Sequence, residues 1–292
     1  MSIDREQAAA IARALGLDEH GLKVSTVGGG DIASAHVFQV ADDQVFVKSL
    51  PVDQGDLLSA EADGLEAIAA TGTVRVPRVV RWGAQDDIAW LALEYLELAQ
   101  RSPHADAELG RALAEMHHHG AENFGWHRNN YIGLTPQYNP QLDDWTAFFL
   151  AHRLDCQFDR LASAHPEKNW ADLKQAIGQS WRKTHAGHQP SPALVHGDLW
   201  CGNAAAVGRD QPVIFDPAVH YADRETDLAM TSLFGGFSES FYRAYEDTWP
   251  LPAGHEQREL YYKLYHVLNH ANLFAGAYLE SARRMCYRIL GE

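Results

Sequence analysis

The sequence contains few cysteines, few basic residues relative to acidic ones and no long hydrophobic run. Its three cysteines, Cys156, Cys201 and Cys286, lie far apart and form no CxxC pair, which argues against a disulfide framework or a zinc ribbon. No segment approaches the roughly 18 apolar residues of a transmembrane helix, and the first residues lack the apolar core of a signal peptide. We therefore expect a cytoplasmic protein without a membrane partner.

The charge balance is strongly acidic. Lysine and arginine total 24 against 39 for aspartate and glutamate, which gives a net charge of −15. A nucleic-acid surface needs a basic face to neutralise phosphates, so no nucleic-acid partner is expected. An acidic protein attracts cationic small molecules, although solubility alone also explains the charge. The sequence leaves the oligomeric state open, with a monomer slightly favoured.

The first hundred residues combine short β-prone segments with two helical patterns. A chain of 292 residues that is 46% hydrophobic can bury a full core. Helical spacing of apolar residues predicts helices over 4–15 and 57–70. Runs of β-prone residues between turn residues predict five strands, over 23–27, 36–40, 45–50, 76–82 and 88–93. The first three strands are predicted to form an antiparallel meander, followed by a helix and two more strands.

Beyond residue 96 the pattern becomes mainly helical. Helical periodicity predicts five helices, over 106–119, 142–164, 170–185, 223–234 and 256–290. Two β-prone pieces, 203–207 and 212–215, interrupt them, and residues 123–140 are predicted to form a long loop. Because the pattern changes near residues 96–105, we place one domain at 1–96 and a second at 97–292.

The strongest chemical signal is the segment HGDLWCGN at 196–203, followed by FDP at 215–217. Phosphoryl transfer from ATP needs a carboxylate that orients the acceptor hydroxyl or takes its proton. It also needs oxygen ligands that hold magnesium against the phosphates. Asp198 fits the first role, and Asn203 with Asp216 fits the second. Each residue alone is common in tight turns, whereas the complete spacing favours a phosphotransferase.

Residues upstream of this segment could bind the nucleotide. Lys48 lies on a predicted strand, where it could reach the phosphates, although an exposed strand lysine is the alternative. Glu61 and Glu66 lie on the following helix, and either could pair with Lys48. A glycine run in the first hairpin would let backbone N–H groups approach phosphate, at Gly28, Gly29 and Gly30. This run lacks GxGxxG spacing and is equally compatible with a plain turn.

Several segments together resemble the fructosamine kinase (ketosamine-3-kinase) family, which is related to the aminoglycoside and choline phosphotransferases. They are GGGDI at 28–32, NYIGLTPQ at 130–137, HGDLWCGN at 196–203, FDPA at 215–218, YADRETDLAM at 221–230, FGGF at 234–237 and YHVLNHAN at 265–272. The resemblance covers nearly the whole chain. The HGDLW and DRETDLAM segments are specific to this branch, whereas the HxD motif and the asparagine that follows are shared more widely.

The resemblance implies a protein-kinase-like α+β fold, with a small antiparallel-sheet N-lobe and a mainly helical C-lobe around ATP and magnesium. It implies that Asp198 is the catalytic base and that Asn203 and Asp216 are magnesium ligands. It also implies that Lys48 binds phosphate and is paired with Glu61.

Further roles follow from the same resemblance. Residues 94–98 would form the hinge between the lobes, with adenine read by the backbone of Glu94, Tyr95 and Leu96. His196 and Asp227 would support the catalytic loop. The chain departs from the family pattern at Cys201, where serine is expected.

The acceptor side is less specified by the sequence. Trp200 follows Asp198 by two residues and could stack on a sugar ring or pack between the lobes. His270 is a candidate acceptor contact, because helical spacing places it on one face with His266 and Asn269. The loop at 123–137 is a second candidate, and solvent contact is the alternative for the helix face. The triplet at 117–119 cannot chelate one ion, since consecutive helical residues point about 100° apart.

These observations predict an ATP-dependent kinase that phosphorylates O3 of ketosamines such as fructosamine or ribulosamine, free or on glycated proteins, in deglycation repair. One alternative keeps the chemistry and changes the acceptor to an aminoglycoside or choline. A second alternative is a nucleotide-binding scaffold without turnover, although a scaffold does not need Lys48, Asp198, Asn203 and Asp216 together.

Overall fold

The N-terminal part of the chain forms a five-stranded antiparallel sheet with two helices. The computed structural model describes residues 3–28, 33–208 and 210–292. The elements in chain order are α1 (Arg5–Ala14), β1 (Lys23–Val27), β2 (Ser34–Val40), β3 (Asp43–Pro51), α2 (Gly55–Thr71), β4 (Val79–Gln85) and β5 (Ile88–Glu94). The strand order is β1-β2-β3-β5-β4, and the predicted meander and the order of elements are confirmed.

Helix α1 covers one face of this sheet. Asp4 caps its N-terminus and forms a capping box with Gln7, and Ile11 is fully buried. Phe38 of β2 and Val47 of β3 pack in the same apolar cluster. Because side chains alternate along a strand, Lys48 and Val47 lie on opposite faces of β3. The face that carries Lys48 is the one toward α2.

The C-terminal part is mainly helical. The elements in chain order are β6 (Leu98–Ala99), α3 (Pro103–His117), β7 (Asn130–Ile132), β8 (Thr135–Gln137), α4 (Trp145–Phe149), α5 (Asp155–Ala164), α6 (Trp170–Thr184), β9 (Ala193–Val195), β10 (Ala204–Val207), β11 (Gln211–Ile214), β12 (His220–Ala222), α7 (Glu225–Leu233), α8 (Glu239–Thr248), α9 (His255–Phe274) and α10 (Ala277–Leu290). A π-helical turn at Leu150–Leu154 joins α4 to α5. Together with the N-terminal sheet, these helices give the predicted two-lobed α+β architecture.

Two helical segments were predicted with the wrong extent. Residues 256–290 form two helices, because Ala275 and Gly276 both adopt positive φ and break the helix while the apolar spacing continues. Residues 142–164 begin their helix only at Trp145, where Asp144 provides the N-cap, and then pass through the π-helical turn.

Several further elements were not predicted, among them the short strands β6, β9 and β12. Residues 239–248 form α8, which packs against α3, and the predicted loop at 123–140 contains the β7–β8 hairpin. The remaining C-terminal helices and both short β-prone pieces are confirmed with small shifts at their ends.

Short strands hold the segments between α6 and α7. Strands β10 and β11 form a hairpin that pairs with β6, and β9 pairs with β12. An apolar cluster joins α2, β5 and α3 to Leu199 and Val219, so the sheet and the helical part share buried side chains. Within the described residues, no helix is both long and apolar enough to cross a membrane.

Candidate active site

A lysine on the sheet contacts two carboxylates from different parts of the chain. Lys48 Nζ lies 2.7 Å from Glu61 Oε1 on α2 and also donates to Asp216 Oδ1, which follows β11. Burial acts to lower the pKa of Lys48, but the charges of Asp216 and Glu61 outweigh it and hold the pKa above its ordinary value. Glu66 is exposed, so Glu61 is the partner of Lys48.

The loop after β9 carries Asp198 and Asn203. The side-chain amide of Asn203 donates through Nδ2 to the Asp198 carbonyl at 2.9 Å and lies 3.4 Å from Asp198 Oδ2. In this geometry the other atom of the amide, Asn203 Oδ1, is available as a ligand for a cation. The Phe215 N–H donates to the Asn203 carbonyl at 3.1 Å, which joins this loop to the residue before Asp216. The two predicted metal-ligand residues therefore come from adjacent backbone segments.

Asp227 on α7 supports the start of the loop that carries Asp198. Its carboxylate accepts from the backbone N–H groups of His196 and Gly197 at 2.7 and 2.8 Å. Burial would raise the pKa of Asp227, but the hydrogen bonds from His117 and from the Gly197 N–H hold it below the ordinary range. The carboxylate stays ionised and fixes two consecutive peptide groups just before Asp198.

His196 completes this support from within the loop. Its Nε2 lies 3.0 Å from the Phe215 carbonyl, and its Nδ1 accepts from the Asp198 N–H at 3.2 Å. Burial lowers the pKa of His196, in agreement with a neutral ring that donates from one nitrogen and accepts at the other.

The sequence reasoning missed a residue behind Asp227. His117 is 1% exposed, and its ring lies between Asp227 Oδ2 at 3.1 Å and the Tyr245 hydroxyl at 2.8 Å. For the three consecutive histidines at 117–119, the sequence analysis considered a metal site and ordinary core or surface positions. His117 lies in the core. His118 stacks on Trp249, so these two rings do not converge. The partners of His117 lie more than a hundred residues away, and no local pattern marks them.

The charges around Asp198 suit a bound cation. Burial, with the charges of Asp216 and Asp227, raises the pKa of Asp198 to about 7, against the hydrogen bond from Asn203. Burial also raises the pKa of Glu61 to about 7, against the opposing charge of Lys48. Carboxylate and amide oxygens are magnesium's preferred ligands, and added positive charge would relieve this repulsion. The residues at 203 and 216 therefore fit a magnesium ion.

Another group of three metal-ligand residue types within the described residues is already engaged in hydrogen bonds. Asp223 accepts from Tyr262 at 2.7 Å and lies 2.6 Å from His188 Nε2. Glu225 forms a bidentate ion pair with Arg258, whose Nε and Nη2 donate to the two carboxylate oxygens at 2.8 and 2.6 Å. Arg258 neutralises Glu225, and His188 and Tyr262 occupy the Asp223 carboxylate, so we assign this cluster a structural role.

A segment of the helical part holds α2 from the side opposite Lys48. Trp126 Nε1 donates to Asp63 at 2.7 Å, Arg128 Nη2 donates to Asp56 at 2.6 Å, and the Tyr131 hydroxyl donates to Asp56 at 3.0 Å. Helical spacing puts Asp56 and Asp63 on one face of α2, well away from Glu61. This 126–131 segment therefore fixes the helix that presents Glu61 to Lys48, and the sequence reasoning did not find it.

The predicted loop at 123–137 contributes buried amides. Asn130 Nδ2 donates to the Val219 carbonyl at 2.7 Å, and Gln137 Nε2 lies 3.3 Å from the Ala218 carbonyl. Arg153, in the π-helical turn, donates at 2.6 Å to Asn139, whose amide donates to Asn130. These side chains lie beneath the residues that follow Asp216.

The remaining nucleotide-side predictions fall on the glycine run and the hinge. Gly28 follows β1 and is exposed, whereas Gly29 and Gly30 lie outside the described residues. Glu94 ends β5, and its carboxylate is bound to Arg75 at 2.9 Å. Tyr95 and Leu96 connect β5 to β6, the point where the chain leaves the N-terminal sheet.

The acceptor-side candidates separate into buried and accessible groups. His266 is buried, and desolvation lowers its pKa to about 3. Asn269 is also buried, and its amide lies 3.3 Å from the Ile132 carbonyl. His270 is partly exposed and its ring contacts Phe234, while the Phe234 ring contacts Trp200. Trp200 and His270 are therefore the accessible members of the predicted set.

A paired lysine and glutamate facing an aspartate–asparagine loop and a second aspartate defines a protein-kinase-like phosphotransferase. The comparisons with known proteins specify the class further. The fructosamine kinase family model matches residues 3–292, and the chain belongs to this family. The predicted enzyme class, an ATP-dependent phosphotransferase that acts on hydroxyl groups of ketosamines, is thereby confirmed.

Individual relatives agree with this assignment. The chain is 42% identical over 273 residues to a protein of Synechocystis sp. named a probable ketoamine kinase, with 90% of each chain covered. It is 38% identical over 263 residues to the chloroplastic protein-ribulosamine 3-kinase of Arabidopsis thaliana, covering 89% of this chain and 80% of that one. A crystal structure from Thermobifida fusca, assigned as a fructosamine-3-kinase, superposes with a TM-score of 0.85 at 30% identity. The match covers 99% of this chain and 100% of that one.

Proposed function

We propose that this protein transfers the γ-phosphoryl group of ATP to O3 of a ketosamine, with fructosamine and ribulosamine as the substrate types. The observation that carries the proposal is the convergence of Lys48, Asp198, Asn203 and Asp216, which the hydrogen bonds above join into one connected group. The four residues span most of the chain, so their meeting is a property of the fold.

Each side chain has a definite part in the transfer. Lys48, fixed by Glu61, holds the α and β phosphates. Asn203 Oδ1 and the Asp216 carboxylate hold magnesium, which neutralises charge on the phosphates when it is bound. Positioning and charge neutralisation supply most of the rate enhancement.

Asp198 acts on the acceptor. Its carboxylate accepts the proton of the sugar hydroxyl as the bond from that oxygen to the γ-phosphorus forms and the bond from phosphorus to the ADP oxygen breaks. The Asn203 side chain holds the Asp198 backbone carbonyl and lies 3.4 Å from the carboxylate, which fixes the position of this proton acceptor. Asp227, His196 and His117 act indirectly, by holding the loop that carries it.

Domain roles follow from the same arrangement. We assign residues 1–96 to nucleotide binding and 97–292 to catalysis and acceptor binding, with the hinge at 94–98. The backbone of Glu94, Tyr95 and Leu96 reads adenine, and Gly28, Gly29 and Gly30 cover the phosphates. Trp200 and His270 contact the acceptor. Phosphorylation at O3 labilises the sugar–amine adduct, so the biological role is deglycation repair in the cytoplasm.

A panel of acceptors tests the proposal. Purified protein is incubated with ATP, magnesium and one of four acceptors: fructosyl-lysine, ribulosyl-lysine, an aminoglycoside or choline. We expect ADP formation with one or both ketosamines at a kcat/KM at least about a hundredfold above the other two. The position of the phosphate is read by 31P–1H correlation NMR. Preference for choline or the aminoglycoside, or phosphate on another oxygen, would overturn the assignment.

A further inference from the structure

An exposed band of aromatic rings runs outward from the catalytic loop. It consists of Trp200, Phe234, His270, Phe274 and Tyr278. Neighbouring ring centroids lie 6.3 Å apart for Trp200 and Phe234, 5.2 Å for Phe234 and His270, and 5.2 Å for His270 and Tyr278. Phe274 completes the band, 5.7 Å from His270. We call this set the aromatic band.

The band is accessible to solvent. Trp200, Phe234 and Phe274 are 39%, 42% and 57% exposed, and all three are among the large hydrophobic side chains that the fold leaves at the surface. Single exposed apolar residues are ordinary, but a contiguous apolar surface beside a catalytic loop marks a binding site.

The inner end of the band is tied to the catalytic loop by two close contacts. The Trp200 indole lies so near Gly202 that a Cβ there would come within 2.3 Å of the ring. A Cβ at Gly236, two residues after Phe234, would come within 2.5 Å of Cys201 Cβ. Residues 200–202 and 234–236 thus form one packed unit, and the band is continuous with the loop that carries Asp198.

The chemistry of the band suits a cation on an apolar stem. The faces of aromatic rings attract ammonium groups and also cover methylene chains. The amine nitrogen of a ketosamine is a secondary ammonium at neutral pH, and only C3, C2 and C1 separate it from O3. With O3 at Asp198, this nitrogen lies only a few bonds from the loop on which Trp200 follows Asp198 by two residues.

We propose that the aromatic band binds the amine side of the acceptor, namely the secondary ammonium and the methylene chain of a glycated lysine side chain. This inference rests on the proposed function and adds the part of the substrate that the enzyme recognises besides the sugar. Free fructosyl-lysine and a lysine glycated within a protein present the same chemistry here.

Three acceptors with one sugar test the inference. They are Nα-acetyl-Nε-fructosyl-lysine amide, its analogue with an ether oxygen in place of the amine nitrogen, and N-methyl fructosamine. Phe274→Leu keeps apolar volume and removes the ring, Phe274→Trp keeps a ring, and Trp82→Leu changes an exposed aromatic residue on β4, outside the band. Because Phe274 is mostly exposed, these variants are expected to fold.

We expect Phe274→Leu to raise KM for the lysine acceptor about fivefold to tenfold while kcat changes less than twofold. This rise in KM should be at least about threefold larger than the rise for the ether analogue or N-methyl fructosamine. Phe274→Trp, which keeps a ring, should leave KM for the lysine acceptor close to that of the unmodified protein. Equal effects on all three acceptors, or an effect as large in Trp82→Leu, would overturn the inference. No turnover of any ketosamine by unmodified protein would instead remove the proposed function, and this inference with it.

Discussion

The proposed nucleotide side and the proposed acceptor side of the site differ in the kind of side chain that builds them. On the nucleotide side, Lys48 and Glu61 are largely buried and form ion pairs with fixed distances. On the acceptor side, the accessible groups are aromatic rings such as Trp200 and Phe274, which contact one another through ring faces and edges.

The difference fits what each side is proposed to bind. Phosphates carry fixed charge, and a buried lysine is tolerable only where carboxylates neutralise it. This requirement restricts the nucleotide side to few residue types. Aromatic rings bind a ligand mainly through contact area and polarisability. An aromatic residue can therefore be replaced with a change in the preferred acceptor and little change in the phosphoryl-transfer step. We expect substitutions on the two sides to affect different kinetic constants.

The largest effect is expected at Asp198, where the two sides meet. Asp198→Asn removes the proton acceptor but keeps the shape of the side chain and its contact with Asn203. We expect kcat to fall about a thousandfold while the Kd for ATP changes less than threefold. Steady-state kinetics and calorimetric ATP titration measure the two quantities. A variant with undiminished kcat would show that Asp198 does not act on the acceptor.

A smaller effect, confined to the nucleotide side, is expected at Lys48. Lys48→Met removes the charge that faces Glu61 and Asp216, and we expect kcat/KM for ATP to fall about a hundredfold. The KM for the ketosamine should change less than threefold, since no acceptor contact is lost. Lys183→Ala, at an exposed position near the end of α6, is the matched control. If Lys48→Met raised the KM for ATP and the KM for the ketosamine equally, Lys48 would not act on the nucleotide side alone.

The smallest effect is expected at Asp63, which acts through the position of α2. Asp63→Ala removes the acceptor of the Trp126 hydrogen bond. We expect kcat/KM for ATP to fall threefold to tenfold and stability to drop by about 1 kcal/mol, measured by urea unfolding. Glu66→Ala, at an exposed position of the same helix, is the control. A loss of stability with no change in ATP kinetics would limit the 126–131 segment to a structural role.

The sequence predicted the residues that act within short motifs or regular elements. The spacing of Asp198, Asn203 and Asp216 marked one loop and the residue after the following hairpin. The strand pattern placed Lys48 on one face of a strand and left an exposed lysine as the alternative. The sequence left Glu61 and Glu66 as alternatives, and the resemblance pointed to Glu61. Ion pairing and burial now distinguish them.

The residues that escaped prediction depend on contacts between distant segments. His117 meets Asp227 across 110 residues, and Trp126 meets Asp63 across 63. The break between α9 and α10 escaped for a local reason. Backbone angles at Ala275 and Gly276 turn the chain there, and side-chain periodicity carries no record of those angles.

The stretch between Asp216 and α7 has a consequence for how the enzyme can be controlled. It comprises only residues 217–224, and three of these form β12, which is paired with β9. Many protein kinases keep a long segment there whose phosphorylation aligns the catalytic lysine and its glutamate. Here the chain is too short and too firmly paired to serve as such a regulatory arm. The Lys48–Glu61 pair is already formed in the folded protein without any contact from such an arm.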